Sequence, residues 1–265
     1  MQTVTSADGT PIAFEQTGSG PPLVLVYGNG DVHETWEVGG VRPALAEAFT
    51  VYAIERRGRR ESGDAAEYAL EREAEDVAAV AGAIDEPVTL LGHSGGALYS
   101  LEAALRSDNL RNLILYEPPI GVSDHDLEVE EGIAAMNRLL DGGKNEQAFL
   151  LFLQEVAQLT QEEIEELRAT PVWEHMVSAA DVLPRELEAI ATYNFEPRRF
   201  EEMTTPTLLL SGSESAALYQ EATNRVGDAL PNAQTVIFEG QAHEAMHTAP
   251  ERFVDEVVAF AGQRR

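Results

Sequence analysis

Cysteine is absent from this chain. Disulfides are therefore excluded, together with thiolate nucleophiles, thiolate zinc sites and iron–sulfur clusters held by cysteine. Lysine is nearly absent: Lys144 stands alone, and the other 17 basic residues are arginine. Long apolar runs are missing too, since none approaches the roughly 20 residues that a membrane helix needs. Residues Met1 to Asp8 carry neither the basic end nor the apolar stretch of a secretory signal. These absences lead us to expect a soluble, cytoplasmic protein with no membrane partner.

What is abundant is acid. The formal charge is −28 at neutral pH, which argues against nucleic acid as a partner because phosphate contacts need clustered Lys and Arg. Two origins fit the acidity. One is a surface adapted to a high-salt cytoplasm, where screening weakens the self-repulsion. The other is an acidic protein from a GC-rich genome, which also favours Arg over Lys. We expect the first; it bears on habitat, not on chemistry.

At 265 residues the chain suits one large domain with or without an insertion, and a fold of that size buries about three quarters of its unfolded surface. Short apolar runs suited to buried strands recur at Pro22–Tyr27, Thr50–Ile54, Pro87–Leu91, Leu110–Tyr116, Thr207–Leu210 and Thr235–Phe238. Two further strands, Thr3–Ser6 and Pro11–Gln16, flank an Asp8-Gly9 turn. Helical stretches separate the later runs; in one, Leu70, Ala74, Val77, Ala81 and Ile84 share a face. Near the end, Thr248 to Glu251 has the form of a capping box with Pro250 in the first turn. Such alternation predicts an α/β fold, a mostly parallel twisted sheet flanked by helices. Between Ile120 and Glu202 the alternation stops. That stretch reads as helices, with start signals at Thr160-to-Glu163 and at Thr170-Pro171. Leu127, Ile133, Met136 and Leu140 are expected on one face, and Phe149, Phe152, Leu153 and Val156 on another. We expect a core of residues 1–119 and 203–265 with a helical lid, residues 120–202, inserted between two strands.

The most informative pattern is Gly92-His93-Ser94-Gly95-Gly96, placed between an apolar strand and an Ala- and Leu-rich helix. A serine on such a turn is held in a strained conformation with its hydroxyl exposed, and side chains at the flanking glycines would strike neighbouring backbone. The following helix aims its first N–H groups at the same place. Ser94 is the candidate nucleophile. Together with the Tyr27-Gly28-Asn29-Gly30 loop, the run Arg56 to Gly63 and Gly240-Gln241-Ala242-His243, all in this order, the chain resembles α/β-hydrolase-fold serine hydrolases over essentially its whole length.

The resemblance implies that His243, between the last strand and the last helix, is the general base. It implies an oxyanion hole formed by the backbone N–H groups of Gly95 and Asn29, although Tyr27 replaces the usual histidine at the start of that loop. The usual acid position falls on Ser215, a departure from the family. Two carboxylates are then candidates: Glu214, one residue out of register, and Glu117, at the end of the strand after the nucleophile. Haloalkane dehalogenases of the same fold can carry their acid at that strand end. We favour Glu117, because a carboxylate at a buried strand end is costly unless something pairs with it. The arginine-rich run reads as structural, pairing with nearby carboxylates. His33 is placed near a pocket entrance, His125 and His175 on the lid surface, and Trp36 and Trp173 in packing, with Trp173 able to face the pocket.

His243 to His247 also spells His-Glu-x-x-His, a zinc signature. Zinc chemistry would need both histidines on one continuous helix and a further ligand, and Gly240 and Pro250 crowd the motif. We expect no metal and no cofactor. The expected activity is hydrolysis of a small carboxylic ester through an acyl-enzyme. The same side chains serve lactone opening, C–C bond hydrolysis, acyl transfer or perhydrolysis, and a ligand-binding protein of this fold with little turnover stands as the alternative class. Epoxide hydrolases and haloalkane dehalogenases use Asp where this chain has Ser94, and rank lower.

Overall fold

The computed structural model describes residues 1–121 and 126–262, with the side chains of residues 126–128 left out. An eight-stranded sheet runs through it: β1 Gln2–Thr5, β2 Pro11–Gly18, β3 Pro22–Val26, β4 Thr50–Ile54, β5 Val88–His93, β6 Leu110–Tyr116, β7 Thr207–Gly212 and β8 Ala233–Phe238. Their spatial order is β1-β2-β4-β3-β5-β6-β7-β8. Pairing is antiparallel in β1–β2 and β2–β4, and parallel from β4 to β8. Each strand lies within two residues of the run that predicts it. β3, β5 and β7 are buried along their whole length, as continuous apolar runs covered on both faces require.

Helices cover the two faces. Residues from α2 (Leu70–Gly82), α3 (Gly95–Ala104) and α9 (Ala217–Ala229) pack in one core with Val24, Leu90 and Leu113. Those from α1 (Val41–Ala46), α10 (Ala245–Thr248) and α11 (Pro250–Ala261) pack in the other with Leu25, Leu91 and Leu210. On α2 the expected stripe of Leu70, Ala74, Val77 and Ala81 is buried, but so are Glu73 and Asp76, whose burial needs partners.

Between β6 and β7 the described residues form helices: α4 (Asp126–Asp141), α5 (Asn145–Leu151) followed by a π-turn at Phe152–Val156, α6 (Gln161–Arg168), α7 (Trp173–Ser178) and α8 (Leu183–Ala191). This insertion has its own core, with Ile133, Met136, Phe149, Phe152, Leu153 and Trp173 buried together. Trp173 packs edge-on to Phe149, 5.2 Å between centroids, so it supports the insertion from within. Leu127 and His125 lie outside the described side chains. Lys144 is the exposed residue preceding α5.

Helix starts follow the sequence signals unevenly. Thr160 caps α6 as expected, its hydroxyl accepting from Glu163 N and the Glu163 carboxylate returning to Thr160 N. Thr170-Pro171 does not start α7. The Thr170 hydroxyl donates back to Leu167 O at 2.6 Å, closing α6, and α7 begins at Trp173. Nor does Thr248 cap α11, which begins at Pro250 with no side-chain cap. Its hydroxyl goes instead to Gln241 Oε1 at 2.5 Å, because the short helix α10 occupies that turn.

Candidate active site

The carboxyl ends of β3, β5, β6, β7 and β8 open at one edge of the sheet, where ligand sites of open parallel sheets lie. Ser94 follows β5 with φ 52° and ψ −124°, a strained geometry for a residue with a side chain. The elbow survives because the residues two positions to either side carry none: a Cβ on Gly92 would run into Gly96 O and Ala97, and one on Gly96 into Val26 O and Tyr27 O. The strand ladder continues into the turn through Ser94 N donating to Tyr116 O at 2.8 Å.

Glu117, just past β6, is also in the left-handed region with φ 48° and is fully buried. One carboxylate oxygen accepts from Ser211 Oγ and from Gly212 N, each at 2.8 Å. The other meets His243 Nδ1 at 2.6 Å. Nδ1 is thereby the protonated nitrogen of the neutral ring, and Nε2 is left with a lone pair and no hydrogen-bond partner. Burial opposes charge on the His243 imidazole, but the hydrogen bond to Glu117 and the Glu117 charge outweigh it and raise the histidine above its usual range. The ring is fixed on its flat side by Tyr219, stacked at 4.0 Å and 17°. Its loop is anchored by Tyr116 Oη, which donates to Ala242 O and accepts from Ala245 N at 3.3 Å.

Glu214 is exposed, and its N–H bonds Gln241 O. Of the two candidate carboxylates, Glu117 is therefore the one the fold brings to His243. His93, beside Ser94, turns away to contact the His243 carbonyl at 3.1 Å. His33 is buried against Glu55, 2.9 Å from its carboxylate, and away from the cavity that holds Ser94. His175 is half exposed, as expected of the insertion surface. Ser94 and His243 line one small cavity together with Asn29 and Asp31. A larger cavity, about 830 Å³ with its open mouth included, leads from Ser94 and Asn29 outward. Its walls are mostly apolar, from Phe152, Val156, Leu187, Ile190, Leu218 and Tyr219, and Glu155 is the one charged residue among the described residues that line it.

Gly95 heads α3, so its N–H has no intrahelical acceptor. Asn29 N lies 3.4 Å from where a Gly95 Cβ would stand, which puts the Asn29 backbone close to Gly95. The Asn29 side chain fills the space that a Gly95 side chain would need.

The arginine-rich run is structural as expected, but its partners lie farther away than its flanking Glu55 and Glu61. Arg57 makes a two-pronged contact with Asp76 on α2 and reaches Asp8 at 3.0 Å. Arg56 grips Glu73 with two nitrogens and donates to Gly28 O at 2.9 Å. Arg59 holds Glu186 from α8 with both terminal nitrogens. The buried acids of α2 thus find the cations that burial demands. Glu186 was invisible in the sequence: it sits 127 positions from Arg59, in a helix whose other charges are exposed Glu188 and Arg185, paired with Asp64.

The His-Glu-x-x-His spacing does not place two imidazoles on one helical face, because α10 begins only at Ala245. Ligand atoms of His93, His243 and Glu244 do lie within 4.8 Å of one another. Each already has a role in the packing: His93 on the His243 carbonyl, His243 on Glu117, and Glu244 beside His247 at 3.1 Å.

The chain belongs to the alpha/beta hydrolase family, whose model matches residues 23–256. It is similar to an alpha/beta hydrolase of Sphaerobacter thermophilus, 32% identical, with a TM-score of 0.76 over 95% of this chain and 99% of the other. It shares its fold with an esterase of Exiguobacterium antarcticum, TM-score 0.82 at 21% identity, covering 99% of both chains. A putative carbamate hydrolase of Pseudomonas savastanoi is 25% identical over 92% of this chain and 95% of the relative. No helix among the described residues is long and apolar enough to cross a membrane.

Proposed function

We propose that this hydrolase is a serine esterase that cleaves small carboxylic esters with apolar acyl groups through an acyl-enzyme. The observation that carries the proposal is the 2.6 Å contact of His243 Nδ1 with buried Glu117, which leaves Nε2 free in the cavity that Ser94 lines. A serine hydroxyl is a weak nucleophile until an imidazole takes its proton. In the proposed cycle Ser94 Oγ attacks the ester carbonyl while His243 Nε2 accepts its proton. Glu117 keeps the tautomer and stabilises the imidazolium. The N–H groups of Asn29 and Gly95 receive the developing oxyanion. His243 then returns the proton to the departing alcohol, and water, activated by the same ring, releases the acid. No cofactor enters these steps.

In this reading residues 120–202 are a lid over a core of residues 1–119 and 203–265. The apolar cavity walls favour neutral acyl chains, and Glu155 with the overall acidity disfavours anionic ones. The relative named as a putative carbamate hydrolase makes carbamates the second substrates to test. The experiment is hydrolysis of p-nitrophenyl butyrate and a p-nitrophenyl carbamate at high salt, with Ser94→Ala as control. Turnover lost in the variant supports the mechanism. Turnover unchanged in the variant, or stoichiometric binding with no turnover in the parent, defeats it.

A further inference from the structure

The loop after β3 is gripped by the insertion at two successive residues. At Gly30, φ is +80°, and a Cβ would stand 2.7 Å from Phe152 Cε1 and 2.9 Å from Phe149 Cε2. At Asn29 the side-chain amide donates to Glu186 Oε2 at 2.7 Å and to Tyr99 Oη at 3.1 Å. Glu186 is completely buried, clamped by Arg59, with Arg56 Nη2 3.1 Å from its other oxygen. Burial alone would raise the Glu186 carboxyl, but Arg56 and Arg59 outweigh it and hold it ionised, below the usual range.

A loop of Gly28, Asn29 and Gly30 has more backbone freedom than most. An oxyanion donor is useful only if its direction is set before the charge develops. The groups that set it here include aromatic rings and a carboxylate carried by α5, the π-turn and α8, alongside Tyr99 on α3 and the Arg56 bond to Gly28 O. A carboxylate gives the Asn29 amide a charge-assisted bond, and two guanidiniums, which stay charged at every working pH, prevent that carboxylate from moving.

We propose that Glu186 is a positioning residue for the oxyanion hole: through Asn29 Nδ2 it orients the loop so that Asn29 N–H faces the reacting carbonyl. The insertion then helps to build the site as well as cover it. This rests on the serine-esterase reading, and the test separates the two. The readouts are kcat and KM for p-nitrophenyl butyrate, and the rate at which a fluorophosphonate labels Ser94, followed by intact mass. In that labelling Ser94 Oγ forms a bond to phosphorus, fluoride leaves, and the hydroxyl proton passes to His243.

Asn29→Ala and Glu186→Gln are each expected to lower kcat and the labelling rate by about 10- to 100-fold, below or near the loss of a whole oxyanion donor. KM should stay within about threefold, since the contact acts on the transition state. The double variant should be no slower than the slower single variant, because both act through one contact. A packing role alone predicts a lower melting temperature with unchanged rates, and that result overturns the proposal. So do losses that multiply in the double variant. If Glu186→Gln does not fold, Asn29→Ala decides alone, because it keeps every charge of the cluster. A parent that labels at Ser94 but hydrolyses no ester defeats the esterase reading, and the labelling rates still decide on Glu186. A parent that does not label overturns both.

Discussion

Two buried glutamates sit at the same edge of this sheet, and they are neutralised by opposite strategies. Glu117 is surrounded by neutral donors, the Ser211 hydroxyl and Gly212 N–H, plus one imidazole, a group without a permanent charge. Glu186 is held by two guanidiniums that never lose theirs. The first arrangement suits a centre whose charge changes during turnover, because a carboxylate without a permanent counter-ion draws a positive charge onto its histidine. The second suits a fixed point. Its charges cancel in place, and breaking the set strands one of them inside the protein.

The comparison is broken most severely at the reacting end. Ser94→Ala is expected to lower kcat for p-nitrophenyl butyrate by roughly 10³-fold or more, with melting temperature nearly unchanged. Glu117→Gln keeps the shape but offers a neutral amide to Nδ1, and should lose about 10²- to 10⁴-fold in kcat. Glu214→Gln, on an exposed turn, should stay within about twofold in the same assay. Equal small losses from these two glutamate variants would remove Glu117 from the mechanism.

The fixed cluster should fail differently. Arg59→Gln leaves Glu186 with one cation instead of two and should reduce unfolding free energy by about 3 kcal/mol, measured by urea denaturation. The sign of its pH dependence follows from the depressed Glu186 carboxyl. The cluster's contribution is present above the unfolded carboxylate's 4.5 and is lost as pH falls through the lower folded value. The difference between parent and variant should therefore shrink on acidification.

The mildest effect sharpens the contrast through titration. His243 is raised above 6.5 in spite of burial, by the hydrogen bond and charge of Glu117. The acidic limb of kcat/KM should thus lie above pH 6.5 in the parent. In Glu117→Gln the residual activity should show that limb at lower pH, because burial is then opposed only by the smaller contributions of Glu244 and Glu163. An unmoved limb would mean that Glu117 does not set the proton affinity of His243.

How much of this was legible in the chain depends on the distance over which each feature is determined. The sheet was readable because a doubly covered strand needs an unbroken apolar run, as Leu23 to Val26 and Leu208 to Leu210 supply. The elbow was readable because its strain forces glycine at fixed offsets from Ser94. Even the pairing of Glu117 with His243 had a local cue, a carboxylate at the end of an apolar strand. The helix starts expected at Thr170 and Thr248 do not form because a hydroxyl satisfies whichever acceptor the neighbouring turn offers, Leu167 O in one case and Gln241 Oε1 in the other. Glu186, Tyr219 and the reach of Arg56 and Arg59 had no cue at all. Buried charges are paired by the tertiary fold, and a glutamate among the many acids of this chain looks the same in sequence whether it meets water or a guanidinium.

The lone lysine has a practical consequence. Apart from the α-amino group, Lys144 carries the one primary amine, and it stands exposed ahead of α5 on the helical insertion. An amine-directed fluorophore would attach there and, beyond the α-amino group, nowhere else. That dye would ride on the segment bearing Phe149, so its emission would report insertion movement without any engineered residue.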